Sequence, residues 1–171
     1  TDRGDQSIEV YRNSLHRIFC ECRRVLKKDG IMVFTYHHKS PVAWDALGDA
    51  LVHSGLKCAT VLPLRGEGQG GLHSYDGTIK WDAVFVCRKG SQVPSASSDN
   101  AAVPRTAIKQ AKQQASAYAE DLAKTRQIGF RDPDRLNLER AMIVASAVIA
   151  PTHPDFMPLS DALKTSSTGG R

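Results

Sequence analysis

Residues 34–40 read Phe-Thr-Tyr-His-His-Lys-Ser, directly after the apolar run Ile31-Met32-Val33. Imidazole is the side chain that changes charge nearest neutral pH. His37 and His38 therefore have chemistry to offer: metal ligation, base catalysis, or contact with an anionic substrate. Side chains alternate along an extended chain, so only one of the pair can face a given side. A metal site needs a third ligand, and none stands at a recognisable spacing. Lys39 adds a positive charge. The plain alternative is a polar strand end whose histidines are hydrogen-bonded and structural.

A second set lies in the glycine-rich stretch from Arg65 to Gly77, "RGEGQGGLHSYDG". Its spacing is not that of a phosphate-binding G-x-x-x-x-G-K-[ST] loop, and it does not open a helix after a first strand. As a loop over a substrate groove it would offer Arg65, His73 and Lys80 to phosphate oxygens. As a plain connector it would offer nothing. Glu67 is a lone acid and weak as a base candidate. Trp44 and Trp81 carry rings able to stack on bases. Trp44 falls on the apolar face of its helix and Trp81 alternates with Ile79 and Ala83, so both read as core.

The elements that position these residues follow from periodicity. Apolar residues at Ile8, Tyr11, Leu15, Ile18, Phe19, Cys22, Val25 and Leu26 make one face of a helix. Ser7 is placed to cap it and Gly30 to stop it. "IMVFTY" (31–36) is a short, continuously apolar strand, expected to be buried on both faces as in a parallel sheet. Ser40-Pro41 starts a second helix, with Trp44, Leu47 and Leu51 inward and Gly55 at its end. "KCATVLPL" (57–64) and "IKWDAVFVC" (79–87) are further strands, joined without a helix and hence expected to be antiparallel. Parallel strands joined by a helix imply an α/β layered sheet.

Composition shifts after Lys89. Residues 90–104 are small, polar and proline-punctuated, expected as a linker. Residues 105–150 read as a helical extension. Its first part, 105–126, carries five Lys/Arg against two acids, a basic face that suits a DNA backbone or plain solvation. A more apolar helix over 132–150 has Asp132 or Asp134 near its N-terminus. Residues 151–171 are expected to be a flexible tail, ending in "SSTGGR".

The whole chain has 171 residues and a formal net charge of +5, a mild excess that fits a nucleic-acid partner without requiring one. No apolar run approaches the ~20 residues that cross a bilayer. The four cysteines stand singly or two apart, with no C-x-x-C pair, and read as buried free thiols of a reducing cytoplasm. The chain opens on Thr1 and a polar "TDRGDQS", which suggests a fragment whose upstream part is missing.

The order helix ending "RVLKKDG", strand "IMVFTYHHK", helix "SPVAWDALGDALVHSGL", strand, closing strand "KWDAVFVCRK" resembles the C-terminal half of a class I S-adenosylmethionine-dependent methyltransferase. Within that class, "ECRRVLKKDGIMVFTYHHKSPVAWDAL" and "GLHSYDGTIKWDAVFVCRK" look like the large adenine-specific DNA methylases of phage-defence and restriction-type gene clusters. The resemblance covers residues 8–89. It implies an α/β fold over 1–89, the C-terminal half of a Rossmann-like sheet whose last two strands are an antiparallel pair. It implies methyl transfer from S-adenosylmethionine to the N6 of a flipped adenine in DNA. The glycine-rich cofactor turn and the Asp/Asn-Pro-Pro-Tyr motif of that family lie upstream of its corresponding segment, and this chain has neither. The resemblance therefore implies a cytoplasmic part-enzyme, inactive alone, binding no cofactor by itself. DNA, the missing N-terminal portion and defence-system proteins are the partners it suggests. His37, His38, Lys39, Arg65 and His73 are the cleft candidates, and no catalytic residue is expected in this chain. A methyltransferase acting on RNA or a small molecule, or a non-catalytic binding or scaffold fragment, are the rival readings. An incomplete sheet would expose an edge and apolar faces, so poor solubility or dependence on a partner is expected.

Overall fold

The computed structural model describes residues 2–66, 79–91, 100–126, 130–149 and 154–166. Helix α1 (Asp2–Val25) leads to strand β1 (Met32–Tyr36), helix α2 (Pro41–His53) and strand β2 (Leu56–Arg65). Strand β3 (Trp81–Lys89), strand β4 (Ala101–Pro104), helix α3 (Arg105–Arg126) and helix α4 (Asp132–Ala145) follow. The described chain ends with strands β5 (Val148–Ile149) and β6 (Phe156–Pro158) and helix α5 (Leu159–Thr165). The fold is mixed α/β, with two three-stranded antiparallel sheets ordered β1-β3-β2 and β5-β4-β6. No helix among the described residues is long and apolar enough to cross a membrane.

In the first sheet β3 lies between β1 and β2 and is antiparallel to both, so β1 and β2 run in the same direction. The expected antiparallel pairing of β2 with β3 is present. Register puts Met32, Phe34 and Tyr36 on one face with Ala83, Phe85 and Cys87. That face is packed by rings: Phe34 stacks on Phe85 at 5.0 Å between centroids, Phe19 of α1 meets Phe34 at 5.4 Å, and Trp44 of α2 meets Tyr36 edge-on at 4.8 Å. Offset and edge-to-face contacts of this kind add about 0.5–1.5 kcal/mol each beyond the burial itself. Trp44 and Trp81 are core, as their spacing predicts.

The structure corrects four expectations. Strand β1 is not buried on both faces: Val33 is 59% and Ile31 50% exposed, and Leu62 and Leu64 share the outer face with Val33. No described element packs against that face, so the continuous apolar run reflects something other than two-sided burial by these residues. Helix α1 begins well before Ser7, because the polar residues Asp2–Gln6 simply continue its first turns. The C-terminal stretch is folded through Ser166: Leu159, Ala162 and Leu163 of α5 are buried. They join one hydrophobic core with Trp44, Phe85, Val103, Leu138 and Ile143. Strand β4, at the end of the stretch read as linker, buries Ala101 and Val103 in the same core, and Ala102 is buried as well. Helix α2 carries Gly48 where α5 crosses; a Cβ there would collide with Leu159 Cδ2, so the buried Leu159 side chain would have to shift.

Helix α4 is polar and apolar on several sides at once, yet largely buried. Glu139 is 2% exposed, its Oε2 3.6 Å from Arg135 Nη1 and its Oε1 without a hydrogen-bond partner. Burial pushes this carboxyl above the usual range, against the pull of Lys112 on α3 and of Arg135 and Arg140.

Two predictions follow from these packings. Leu163→Ala should lower unfolding free energy by about 2–5 kcal/mol, the cost of a core cavity, whereas Lys164→Ala should be nearly silent; urea melts of both distinguish a docked α5 from a tail. Glu139 favours its protonated form in the folded state more than in the unfolded one. Its stabilising share is therefore complete below the unfolded carboxyl value, about 4.3, and is lost as pH rises through the raised folded value. Relative to Glu139→Gln, the natural chain should lose stability between acid and neutral pH. Parallel pH profiles would contradict the burial assigned to this carboxyl.

Candidate functional site

The sheet register brings separate sequence segments to one end. β1 and β2 both finish there, and β3 begins there: Tyr36 faces Ala83, Arg65 faces Trp81, and Gly66 N–H donates to Lys80 carbonyl at 3.0 Å. His37, His38 and Lys39 leave β1 at this end, Arg65 closes β2, and Lys80 enters β3. His73 lies outside the described residues, as does Glu67. Four of the five residues singled out from sequence are thus at one end of the sheet, with Lys80 beside them.

The two histidines do different things. His37 Nδ1–H donates to Asp82 Oδ1 at 2.5 Å, and the ring is largely exposed. A carboxylate can only accept here, so Nε2 of His37 carries a lone pair toward solvent when the ring is neutral. This is the arrangement in which a carboxylate orients an imidazole to accept a proton or contact a donor. His38 turns the other way. Its Nδ1 accepts from Ser40 N–H at 2.9 Å, while its carbonyl accepts from Trp44 Nε1–H at 2.8 Å. Ser40 also caps α2 through Val42 N–H. His38 is therefore tied to the start of α2 and His37 to Asp82, and both residues are exposed. Among the described residues no cluster of three or more His, Cys, Asp or Glu could hold a metal ion.

What holds the strand ends is α4, more than 90 residues further along. Asp134 accepts from the backbone N–H of Lys80 at 2.6 Å and of Trp81 at 3.1 Å, as well as from Arg131 N–H. Asn137 accepts from His38 N–H at 3.3 Å and donates to Trp81 carbonyl at 3.1 Å. Arg140 Nη1 donates to Lys39 carbonyl at 2.7 Å, and its Nε reaches Ser166 Oγ. All three side chains are buried. Spaced by three residues, they step along one side of the helix and satisfy backbone groups that would otherwise end the sheet unpaired.

Asp82, Asp134, Asn137 and Arg140 are not legible as site residues from sequence. Asp82 is one acid in an alternating strand, and its meeting with His37 depends on the β1–β3 register. The α4 residues left one trace: polar residues at intervals of three in a helix whose neighbours Leu138, Ala141 and Ile143 are core-forming.

Asn137→Ala should be strongly destabilising, about 1–3 kcal/mol for each of the two backbone groups left without a partner. Asp82→Ala should cost less than about 1 kcal/mol, since His37 is exposed, but should free the His37 ring from the Nδ1–H form. Long-range proton–nitrogen NMR correlations read that tautomer directly; an unchanged His37 pattern in Asp82→Ala would break the pairing.

No protein-family model, curated protein or solved structure matches the chain, so a functional reading stands on this strand-end geometry and on the resemblance carried by residues 8–89.

Proposed function

We propose that this chain is the C-terminal part of a DNA adenine methyltransferase, contributing one end of the target-strand cleft rather than the chemistry of transfer. The observation that carries the reading is the convergence of His37, Lys39, Arg65 and Lys80 at the end where β1 and β2 both terminate. Ligands of open α/β sheets bind beyond the carboxyl ends of parallel strands, and β1 and β2 share a direction here. The antiparallel closing pair β2–β3 is a second support, being the pairing that the resemblance implies.

On this reading Lys39 and Arg65 meet phosphate oxygens and fix the register of the duplex without reading its sequence. His37, oriented by Asp82, contacts the same backbone or the displaced nucleotide. The basic residues of α3, among them the exposed Arg105, Lys109 and Lys124, extend the electrostatic footprint.

The two grooves along β2 do not fit S-adenosylmethionine. They are of about 670 and 620 Å³, lined by residues such as Ala59, Gln110, Gln114 and Ser146 in one and Val52, Lys57 and Val148 in the other. Neither contains a carboxylate of the kind that takes ribose hydroxyls, and no methyl-transfer step is assigned to this chain. That misfit also supports the rival reading, a non-catalytic nucleic-acid-binding fragment.

Fluorescence titration of labelled duplex DNA at several salt concentrations tests the phosphate contacts. Binding should weaken linearly on a log–log plot, and Lys39→Gln and Arg65→Gln should each reduce the slope by about 1. A slope near zero for the natural chain would remove the DNA reading. Calorimetric titration with S-adenosylmethionine should be silent for this chain alone. If heat of binding appears only when an upstream polypeptide bearing the glycine-rich turn is added, the methyltransferase reading is favoured over the binding fragment.

A further inference from the structure

Cys58 on β2 and Cys87 on β3 stand directly opposite each other across the antiparallel pair. Cys87 is fully buried, whereas Cys58 is half-buried and lines both grooves that run along β2. One groove is walled by α3 and α4 through Gln114, Tyr118 and Met142; the other continues past Gly55 and Gly90 to Ala147. Small solutes thus reach one thiol of the pair, and the second thiol lies behind it.

The backbone between them has slack where it is needed. The β2–β3 register shifts between Cys58 and Thr60, leaving Ala59 as the extra residue of a bulge. Directly opposed residues of an antiparallel pair have Cβ atoms about 4.5–5.5 Å apart, and a disulfide requires about 3.8 Å. A bulge beside one cysteine lets the strand close that difference without moving the rest of the ladder. The two thiols also differ in character. The Cys87 thiol, and the backbone of Thr60 and Val86, hold Cys58 below the usual thiol range despite its partial burial. Cys87 is pushed upward by its Cys58 neighbour and by burial. The accessible thiol, the one held lower, is the attacking partner, and the buried thiol behind it is the resolving one.

We propose that Cys58 and Cys87 form an oxidation site at the floor of the β2 groove, where a small hydroperoxide converts the pair to a cross-strand disulfide. The Cys58 sulfur attacks one peroxide oxygen and the O–O bond breaks. The leaving oxygen takes up a proton, departing as water or alcohol, and Cys58 becomes a sulfenic acid. The Cys87 sulfur then attacks the Cys58 sulfur; the S–O bond breaks and hydroxide leaves with the Cys87 proton as water. In sum the two thiols lose two electrons and two protons, and the peroxide is reduced. The other cysteines lack such a partner. Cys20 Sγ lies 3.4 Å from His16 Nε2, and Cys22, two positions along α1, points away from it.

The test is exposure of the reduced, full chain to a small excess of hydrogen peroxide, followed by alkylation and peptide mapping by mass spectrometry. The expected product is one intramolecular Cys58–Cys87 link, restored to thiols by dithiothreitol and formed before any change at Cys20 or Cys22, neither of which has a second thiol opposite it across a strand pair. In Cys87→Ser, whose side chain is nearly isosteric, Cys58 should stop at a sulfenic acid trapped by dimedone. Reaction first at Cys20, or oxidation of natural-chain Cys58 to a sulfinic acid without the link, would overturn the proposal. Because the decisive reading is made on the natural chain, it does not depend on the variant folding.

Discussion

The sheet end that carries His37, Lys39 and Arg65 is held by hydrogen bonds from α4, and the rest of the arrangement depends on them. Asp134, Asn137 and Arg140 are buried polar groups that would be costly alone. Each is matched to a backbone donor or acceptor at the start of β3 or the end of β1. The matching works in both directions. Without α4 the strand ends would lose these partners, and without the strand ends α4 would bury Asn137 without the bonds shown and leave Asp134 and Arg140 with fewer. This mutual dependence fixes the direction in which the chain leaves β1.

Apolar packing sets the distance at which those bonds form. The rings of Phe19, Phe34, Phe85, Trp44 and Tyr36 fill the space between the sheet and the first two helices. Leu138, Ala141 and Ile143 bring α4 onto the same core, with α5 docked against its neighbours. Trp44 links the two kinds of interaction. It is fully buried among rings, yet its indole N–H ends on the His38 carbonyl. Burial of Tyr36 beside Tyr11 pushes its phenol up.

Local periodicity was enough to read the long elements. The three- and four-residue steps of α1, the Ser40-Pro41 start of α2, the basic span of α3 and the alternation of Trp81 with Ala83 all reappear as structure, with ends moved by a few residues. The failures share a cause. "IMVFTY" (31–36) reads as buried on both faces because composition says how apolar a strand is, not how many layers cover it. Residues 151–171 read as tail because the seven-residue helix within them, after a proline, carries too few turns to show a period. The pairing of His37 with Asp82 and the reach of α4 could not be read at all. They are properties of register and of contacts between distant residues, and no local pattern encodes them.

The α4 bonds span 99 and 101 residues between His38 and Asn137 and between Lys39 and Arg140. Contacts so distant along the chain close late, because the entropy of the intervening loop must be overcome before they contribute. During synthesis, which proceeds from the N-terminus, α1, β1, α2, β2 and β3 have all left the ribosome before α4 exists. Through that interval the histidine end of β1 has its bonds to Ser40, Trp44 and Asp82 to draw on, but not those from α4. The strand end is thus completed only after about fifty further residues beyond β3 have been made.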